Sequence, residues 1–194
     1  MNEEMKLRSL PSEVALVVID VQRAFDDIGW GARNNPQAEA NMAAILAAWR
    51  SHGRPVIHIH HRNEAPGLRF SPDQPGCEPK PEAIPHDGEP VLRKTVNSAF
   101  IGTDLEQRLN DLGVTAVVLI GITTDHCVST TTRMAANLGF AATVVHDATY
   151  TFDRIGPDGR AWSADEMHAS ALASLHQEFA VIASTSDVLA SLGD

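Results

Sequence analysis

Two hydrophobic periods alternate along the chain. VALVVID (Val14 to Asp20) is a nearly continuous β-branched run, the pattern of a strand buried on both faces. Asn35-Pro36 then reads as an N-cap followed by the first helical residue. Met42, Ile45, Leu46 and Trp49 follow at helical spacing, and Gly53 supplies the stop. PVIHIH (Pro55 to His60) predicts a second strand, and EPVLRK predicts a third, shorter one ending near Lys94. Thr103-Asp104-Leu105-Glu106 has the form of a capping box, with Leu105, Leu109 and Leu112 as the buried stripe before Gly113. VTAVVLIG (Val114 to Gly121) is the fourth strand. A helix is predicted from about Asp125 to Leu138, burying Val128, Thr131, Ala135 and Leu138. AATVVHD (Ala141 to Asp147), a helix opened by the Ser163–Glu166 box and running to about Glu178, FAVIAS (Phe179 to Ser184) and a short helix from near Ser186 complete the pattern.

Strands separated by helices of this length mean βαβ units and right-handed crossovers. The expectation is an α/β fold: a three-layer α-β-α sandwich around a six-stranded, mostly parallel sheet, with residues 1–194 forming a single domain. Two stretches break the rhythm. Residues 62–89 carry six prolines and three glycines, and 150–162 form a second, shorter irregular segment. Long irregular loops in compact domains are usually functional or disordered, and both of these follow strands.

Composition narrows the functional classes. The 194 residues carry 15 basic and 25 acidic side chains, a formal net charge of −10, which argues against nucleic acid and anionic membrane as partners. No apolar run approaches the roughly 18–20 residues that span a bilayer. The opening MNEEMKLRSLPSEV has acids and no apolar core, so it does not read as a secretory signal. Two cysteines, Cys77 and Cys127, make no disulfide framework, and the expected compartment is the reducing cytoplasm.

Ligands of open parallel sheets bind beyond the carboxyl ends of the strands. There the pattern places Asp20 after strand one, His60 and His61 after strand two, Lys94 after strand three, Thr123 to Cys127 after strand four and Asp147 after strand five. A carboxylate, an ammonium and a thiol thus converge from three parts of the chain. Cys127 falls in the first turn of a predicted helix, where backbone N–H groups and a nearby Lys94 would favour the thiolate. Taken singly, Cys127 reads equally as a small buried hydrophobe, Asp20 as a loop carboxylate and Lys94 as a surface lysine. Together they favour an activated nucleophile. HIHHR (His58 to Arg62) clusters three histidines, but His58 and His60 share one strand face and His61 takes the other. A pocket wall plus a core histidine is the simpler reading, so no catalytic metal is expected.

In VVIDVQRAF (17–25), KTVNSAFIGTDL (94–105), GITTDHCVSTTTRMAANLGF (121–140) and VVHDATYTF (144–152), in this order, the chain resembles the isochorismatase-like cysteine hydrolases. That family includes nicotinamidases, N-carbamoylsarcosine amidase, and biuret and streptothricin hydrolases. The resemblance implies a catalytic triad of Asp20, Lys94 and Cys127. It also implies an oxyanion hole from the backbone N–H groups of Thr123 and Cys127, and a cis peptide between Ile122 and Thr123. No cofactor is required, and the nicotinamidase Asp-Trp-His metal motif is replaced by HIHHR. The expected pocket lining is Gln22, Phe25, His60 and Phe100. Asn97 and Ser98 are expected to orient Lys94 or to cap a loop, while His126 is expected to point away and Asp147 to fix backbone. Family members of this length are commonly oligomers. With Phe100, Phe152 and Trp162 at one edge, a homo-oligomer is expected, at least a dimer, with 150–162 near an interface.

The resulting expectation is a hydrolase cleaving a C–N bond of a small-molecule amide, carbamoyl or ureido compound through a thioester-type intermediate. A vinyl ether hydrolase of the isochorismate type is the alternative within enzymes, although some such members lack the cysteine. A catalytically silent scaffold is the alternative outside them. A dinucleotide-binding reading is weak, because DVQRAF after strand one has no glycine fingerprint.

Overall fold

In the computed structural model, which describes residues 10–192, β1 (Val14–Ile19) is buried along its whole length at the middle of a parallel sheet. The chain leaves β1 through α1 (Ala38–Ser51), adds β2 (Val56–His61) beside it and β3 (Val91–Lys94) beyond, at one edge. It then crosses back through α2 (Leu105–Asp111) to β4 (Ala116–Ile122) on the other side of β1. A turn at Thr124–Val128 and α3 (Ser129–Asn137) lead to β5 (Ala141–Tyr150). A hairpin of β6 (Arg154–Ile155) and β7 (Ala161–Trp162), then α4 (Ala164–Leu175), β8 (Ala180–Ala183) and α5 (Thr185–Leu192) complete the order. The sheet runs β3-β2-β1-β4-β5-β8, all parallel, and the direction in which strands are added reverses between β1 and β4.

Strand alternation builds the three layers expected from the sequence. Val14, Leu16 and Val18 of β1 pack with Met42, Ile45, Leu46 and Trp49 of α1 and Val188 and Leu192 of α5. Ala15, Val17 and Ile19 face the other way, onto Leu105 and Leu109 of α2, Ala135 of α3 and Leu175 of α4. At the far end of the β1–β4 pair, Gly121 lies opposite Ile19 with φ +132°, and a Cβ there would come within 2.0 Å of the Ile19 carbonyl oxygen. Glycine is therefore required for β4 to stay against β1 up to the point where the two strands release their functional segments.

Several local expectations are corrected. Asn35 does not cap α1, which starts at Ala38. Asn35 is left-handed (φ 45°), and its Nδ2 donates to the carbonyls of His146 and Thr149 at 2.8 and 2.7 Å. A long-range bond has replaced the local one. Thr103 and Glu106 form no capping box: Thr103 Oγ1 instead donates to the Ala99 carbonyl and receives the Leu105 N–H. Leu112 and Leu138 lie past the ends of their helices and are exposed. The Ser163–Glu166 box is present at the start of α4. Phe152, expected at an outer edge, is buried beside Trp30 (5.4 Å between rings), and Trp162 is covered by Arg160. The acidic opening segment lies mostly outside the described residues. Among these, no helix is long and apolar enough to cross a membrane.

The proline-rich stretch is ordered by main-chain bonds to the segment after β1: Arg23 N–H donates to Glu78 O and Lys80 N–H to Val21 O, both at 2.9 Å. Lys80 is buried and paired with Asp26 and with Glu39 of α1, and Arg33 grips the same Glu39 with both nitrogens at 2.5 and 2.6 Å. Burial would raise the Glu39 carboxyl, but the Arg33 and Lys80 hydrogen bonds outweigh it and hold the pKa down at about 2. A carboxylate depressed in the fold stabilises above its unfolded value and loses that contribution as pH falls through its folded value. Denaturant titrations are expected to show wild-type stability dropping as pH goes from 4.5 toward 2. Glu39→Gln should flatten that drop by on the order of 2–3 kcal/mol. An unchanged profile in the variant would contradict this.

Candidate active site

The residue that ends β1 turns sharply. Asp20 has φ 52°, a conformation an aspartate tolerates better than most side chains, and its N–H is tied to Ile59 O at 2.8 Å. Its carboxylate and the Lys94 ammonium from the end of β3 are both fully buried, with Oδ2 2.6 Å from Nζ. Lys94 Nζ also lies 3.3 Å from Cys127 Sγ and 3.3 Å from His61 Nδ1. Asp20 Oδ1 is buried without a hydrogen-bond partner. Three strand ends thus bring an ion pair and a thiol into direct contact.

Cys127 is not in the first turn of an ordinary α-helix. Residues Thr124–Val128 form a π-helical turn, and α3 begins at Ser129. Such wide turns recur at functional sites. The Thr123 carbonyl accepts from the N–H groups of His126 (3.3 Å) and Val128 (3.1 Å), and the Ile122–Thr123 peptide is cis. Thr124 Oγ1 meets His168 Nδ1 of α4 at 2.9 Å, and Asp125 accepts from Thr151 Oγ1 at 2.5 Å and lies 3.3 Å from Arg154 Nε. Burial would raise the Asp125 carboxyl, but the Thr151 hydrogen bond and the nearby cations hold it below the usual range. The turn is therefore pinned to β5 and α4 from outside the site.

Asp20, Cys127 and Thr123 line a cavity of about 180 Å³. Phe25, Trp30 and Phe70 form its aromatic wall, with ring centroids of Phe25 5.2 Å from those of both Trp30 and Phe70. Asn97 lies at its rim, with Oδ1 3.9 Å from Cys127 Sγ, and Ser98 Oγ caps the Phe100 N–H. His126, expected to point away, lines the mouth with a half-exposed ring, because the π winding changes where successive side chains project.

Of the expected pocket residues, Phe25 is in place and three are not. Gln22 is a buried bracket, donating to the carbonyls of His61 and Cys77 and accepting the His61 N–H. His60 projects from the opposite face of β2 into a neighbouring cavity of about 380 Å³ with Arg62, Cys77 and Arg93. Burial, with His58 and Arg93 nearby, pushes its pKa down to about 4. Phe100 stacks on Phe140 (6.1 Å) and borders a separate surface groove. The residues missed were Trp30, Phe70 and His61. His61 was recoverable, since it pairs in register with Lys94 and shares its face of the sheet.

His58 and Asp147 have local partners. His58 is buried against Glu89, with Nε2 to Oε2 at 2.9 Å, and Asp147 Oδ1 accepts the N–H and hydroxyl of Thr185 at the start of α5. Among the described residues, no three His, Cys, Asp or Glu side chains are grouped to hold a metal ion.

The charge balance at Cys127 differs from the thiolate the sequence suggested. Burial first, and the Asp20 charge second, push the thiol up to about 12, outweighing Lys94. Burial and the neighbouring carboxylate thus favour the thiol over the thiolate in the resting site. In a Cys77→Ser background, iodoacetamide alkylation of Cys127 should therefore accelerate as pH rises well past 9. Asp20→Asn should alkylate faster than wild type at pH 8, because the variant removes the adjacent negative charge. A slower Asp20→Asn reaction would contradict this balance.

Comparison with known proteins agrees with the fold. The Isochorismatase domain matches residues 14–187. An uncharacterized isochorismatase family protein of Bacillus subtilis, YrdC, is 46% identical over 175 residues, covering 90% of this chain and 94% of its own. A crystal structure of an isochorismatase-family protein from Chromobacterium violaceum superposes with a TM-score of 0.94 at 46% identity, over 97% of each chain. Streptothricin hydrolase of Streptomyces noursei is 36% identical over 142 residues, 72% of this chain and 50% of that protein. The chain belongs to the isochorismatase family, whose members are generally hydrolases.

Proposed function

We propose that this protein is a cysteine-dependent hydrolase that cleaves a C–N bond of a small amide, carbamoyl or ureido compound. The observation that carries the reading is the fully buried Asp20–Lys94 ion pair in contact with Cys127 Sγ at the wall of a cavity. A family relative named as a hydrolase of streptothricin supports hydrolysis as the reaction class.

The chemistry follows from the resting charges. The thiol proton passes to Asp20, whose Oδ1 has no other partner, as Sγ attacks the carbonyl carbon. Lys94 keeps its protons and moves its electrostatic support from the carboxylate to the sulfur. The backbone N–H groups of Thr123 and Cys127 receive the oxyanion. Asp20 then protonates the departing nitrogen, the C–N bond breaks and a thioester-type intermediate remains on Cys127. Water attacks that carbonyl, giving its proton to Asp20, and the released sulfur recovers the proton. No step requires a redox cofactor. The cavity of about 180 Å³ suits a small substrate, and its aromatic wall suits a planar or apolar portion beside the scissile carbonyl.

The protein is expected to work as a homo-oligomer. Ile155 of the hairpin and Ile28 are 73% and 91% exposed, apolar side chains for a second copy to cover. Sedimentation should show at least a dimer at micromolar concentration, and a monomer would contradict this part of the reading.

An ammonia-release screen over small amides, carbamoylated amino acids, ureido compounds and lactams should yield a substrate. Cys127→Ala, Asp20→Asn and Lys94→Met should each lower its turnover by about 10³-fold or more. Release from no C–N substrate, with cleavage of a vinyl ether such as isochorismate, would transfer the site to the other reaction of the family's name. Wild-type turnover by Cys127→Ala would remove the mechanism.

A further inference from the structure

We propose that His61 is a positioning residue of this site: its neutral imidazole accepts the third Lys94 proton through Nδ1 and so fixes the ammonium on Asp20 and Cys127. The inference rests on the reading above of Cys127 as nucleophile, and it adds a residue that the triad leaves out.

A lysine ammonium has three donors and no acceptor. Lys94 Nζ is fully buried, so a proton without an acceptor would carry a desolvation cost with nothing to offset it. Three groups surround it: Asp20 Oδ2, ion-paired at 2.6 Å, and the hydrogen-bonding Cys127 Sγ and His61 Nδ1, both at 3.3 Å. Two of these belong to the proposed reaction. The third decides where the other two protons point.

The acceptor's charge matters as much as its place. Asp20 already neutralises Lys94. A second carboxylate at the position of His61 would oppose charge developing on sulfur, and an apolar side chain would leave a proton stranded. A neutral imidazole does neither. For Nδ1 to accept, the ring proton must reside on Nε2. Burial and the adjacent Lys94 charge both disfavour a protonated His61, which agrees with that tautomer. Lys94 from β3 and Asp20 from β1 act on the ring, Cys127 and His126 of the π turn share its cavity, His60, Arg62, Cys77, Glu78 and Arg93 line the adjoining one, and the proline-rich stretch offers Phe70.

The backbone that carries the ring is also held. Gln22 Oε1 accepts the main-chain N–H of His61 at 2.8 Å, and Gln22 Nε2 donates to the main-chain carbonyls of His61 at 3.0 Å and Cys77 at 2.8 Å. Phe70 meets the imidazole edge-on at 5.1 Å. A chain of contacts therefore runs from Gln22 through His61 to Lys94, and it accounts for a fully buried glutamine two residues after Asp20.

The test uses Cys127 itself, so it needs no substrate. In the full-length Cys77→Ser protein, the iodoacetamide rate at Cys127 would be measured against pH for His61→Asn, His61→Gln and His61→Leu. Asparagine carries its oxygen near the place of Nδ1, whereas glutamine reaches the place of Nε2. His61→Asn is expected to stay within about threefold of the parent rate at pH 8, and His61→Gln and His61→Leu to fall about tenfold or more as the thiol titration moves up. Equal rates in all variants, or Gln matching Asn, would overturn the proposal. If the leucine variant does not fold, the Asn–Gln pair alone decides. Absence of C–N hydrolysis by the wild type, with this alkylation pattern intact, would count against the hydrolase reading and not against His61.

Discussion

The site depends on one ion pair held entirely out of water. Asp20 and Lys94 are both inaccessible, and they meet at 2.6 Å. Burying a carboxylate and an ammonium is costly, and only close pairing with further hydrogen bonds recovers it. Much of the surrounding structure serves this purpose. The left-handed turn at Asp20 aims its carboxylate, the register of β3 with β2 delivers Lys94, and the sulfur and imidazole take the remaining ammonium protons. Removing one partner of such a pair strands the other, at a typical cost of about 3–5 kcal/mol. The same interaction therefore couples stability to chemistry.

The sheet topology explains why these groups meet where they do. The chain builds outward from β1 to β3 and then returns to β4, so β1 and β4 release their C-terminal segments on either side of a crevice. Gly121 keeps the two strands close up to that point. Beyond it, the π turn is anchored by Thr124 to α4 and by Asp125 to Thr151 and Arg154. Cys127 is thus fixed by contacts made on the far side of its own turn, which leaves its cavity-facing side available.

Legibility in the sequence follows the same division. The layers, the six parallel strands and the convergence of Asp20, Lys94 and Cys127 were readable because buried strands have a strong period and their ends fall at one edge. The pocket wall was not readable, since Trp30 and Phe70 come from irregular segments whose course depends on long-range bonds such as Lys80 N–H to Val21 O. Asn35 shows the same limit: a sound local cap was spent on β5 instead. His60 and His61 differ by one residue, and on a strand that is a change of face. Pairing the two strand ends, His61 with Lys94, would have selected the histidine that lies beside the ammonium. The charge balance around Cys127 was not readable for a different reason. Sequence supplied the cation and the helix start, but burial and the Asp20 charge, which dominate, exist only once the chain is folded.

The central claim is that Cys127 becomes covalently acylated and that Asp20 and Lys94 serve that step. The most direct measurement is intact-protein mass spectrometry of acid-quenched enzyme, taken milliseconds to seconds after mixing with an amide or ureido substrate. The account requires a transient mass increase equal to the acyl or carbamoyl group, located on the peptide containing Cys127 and discharged by hydroxylamine. Rapid substrate hydrolysis with no adduct at Cys127 at any quench time, together with full turnover by Cys127→Ala, would contradict it.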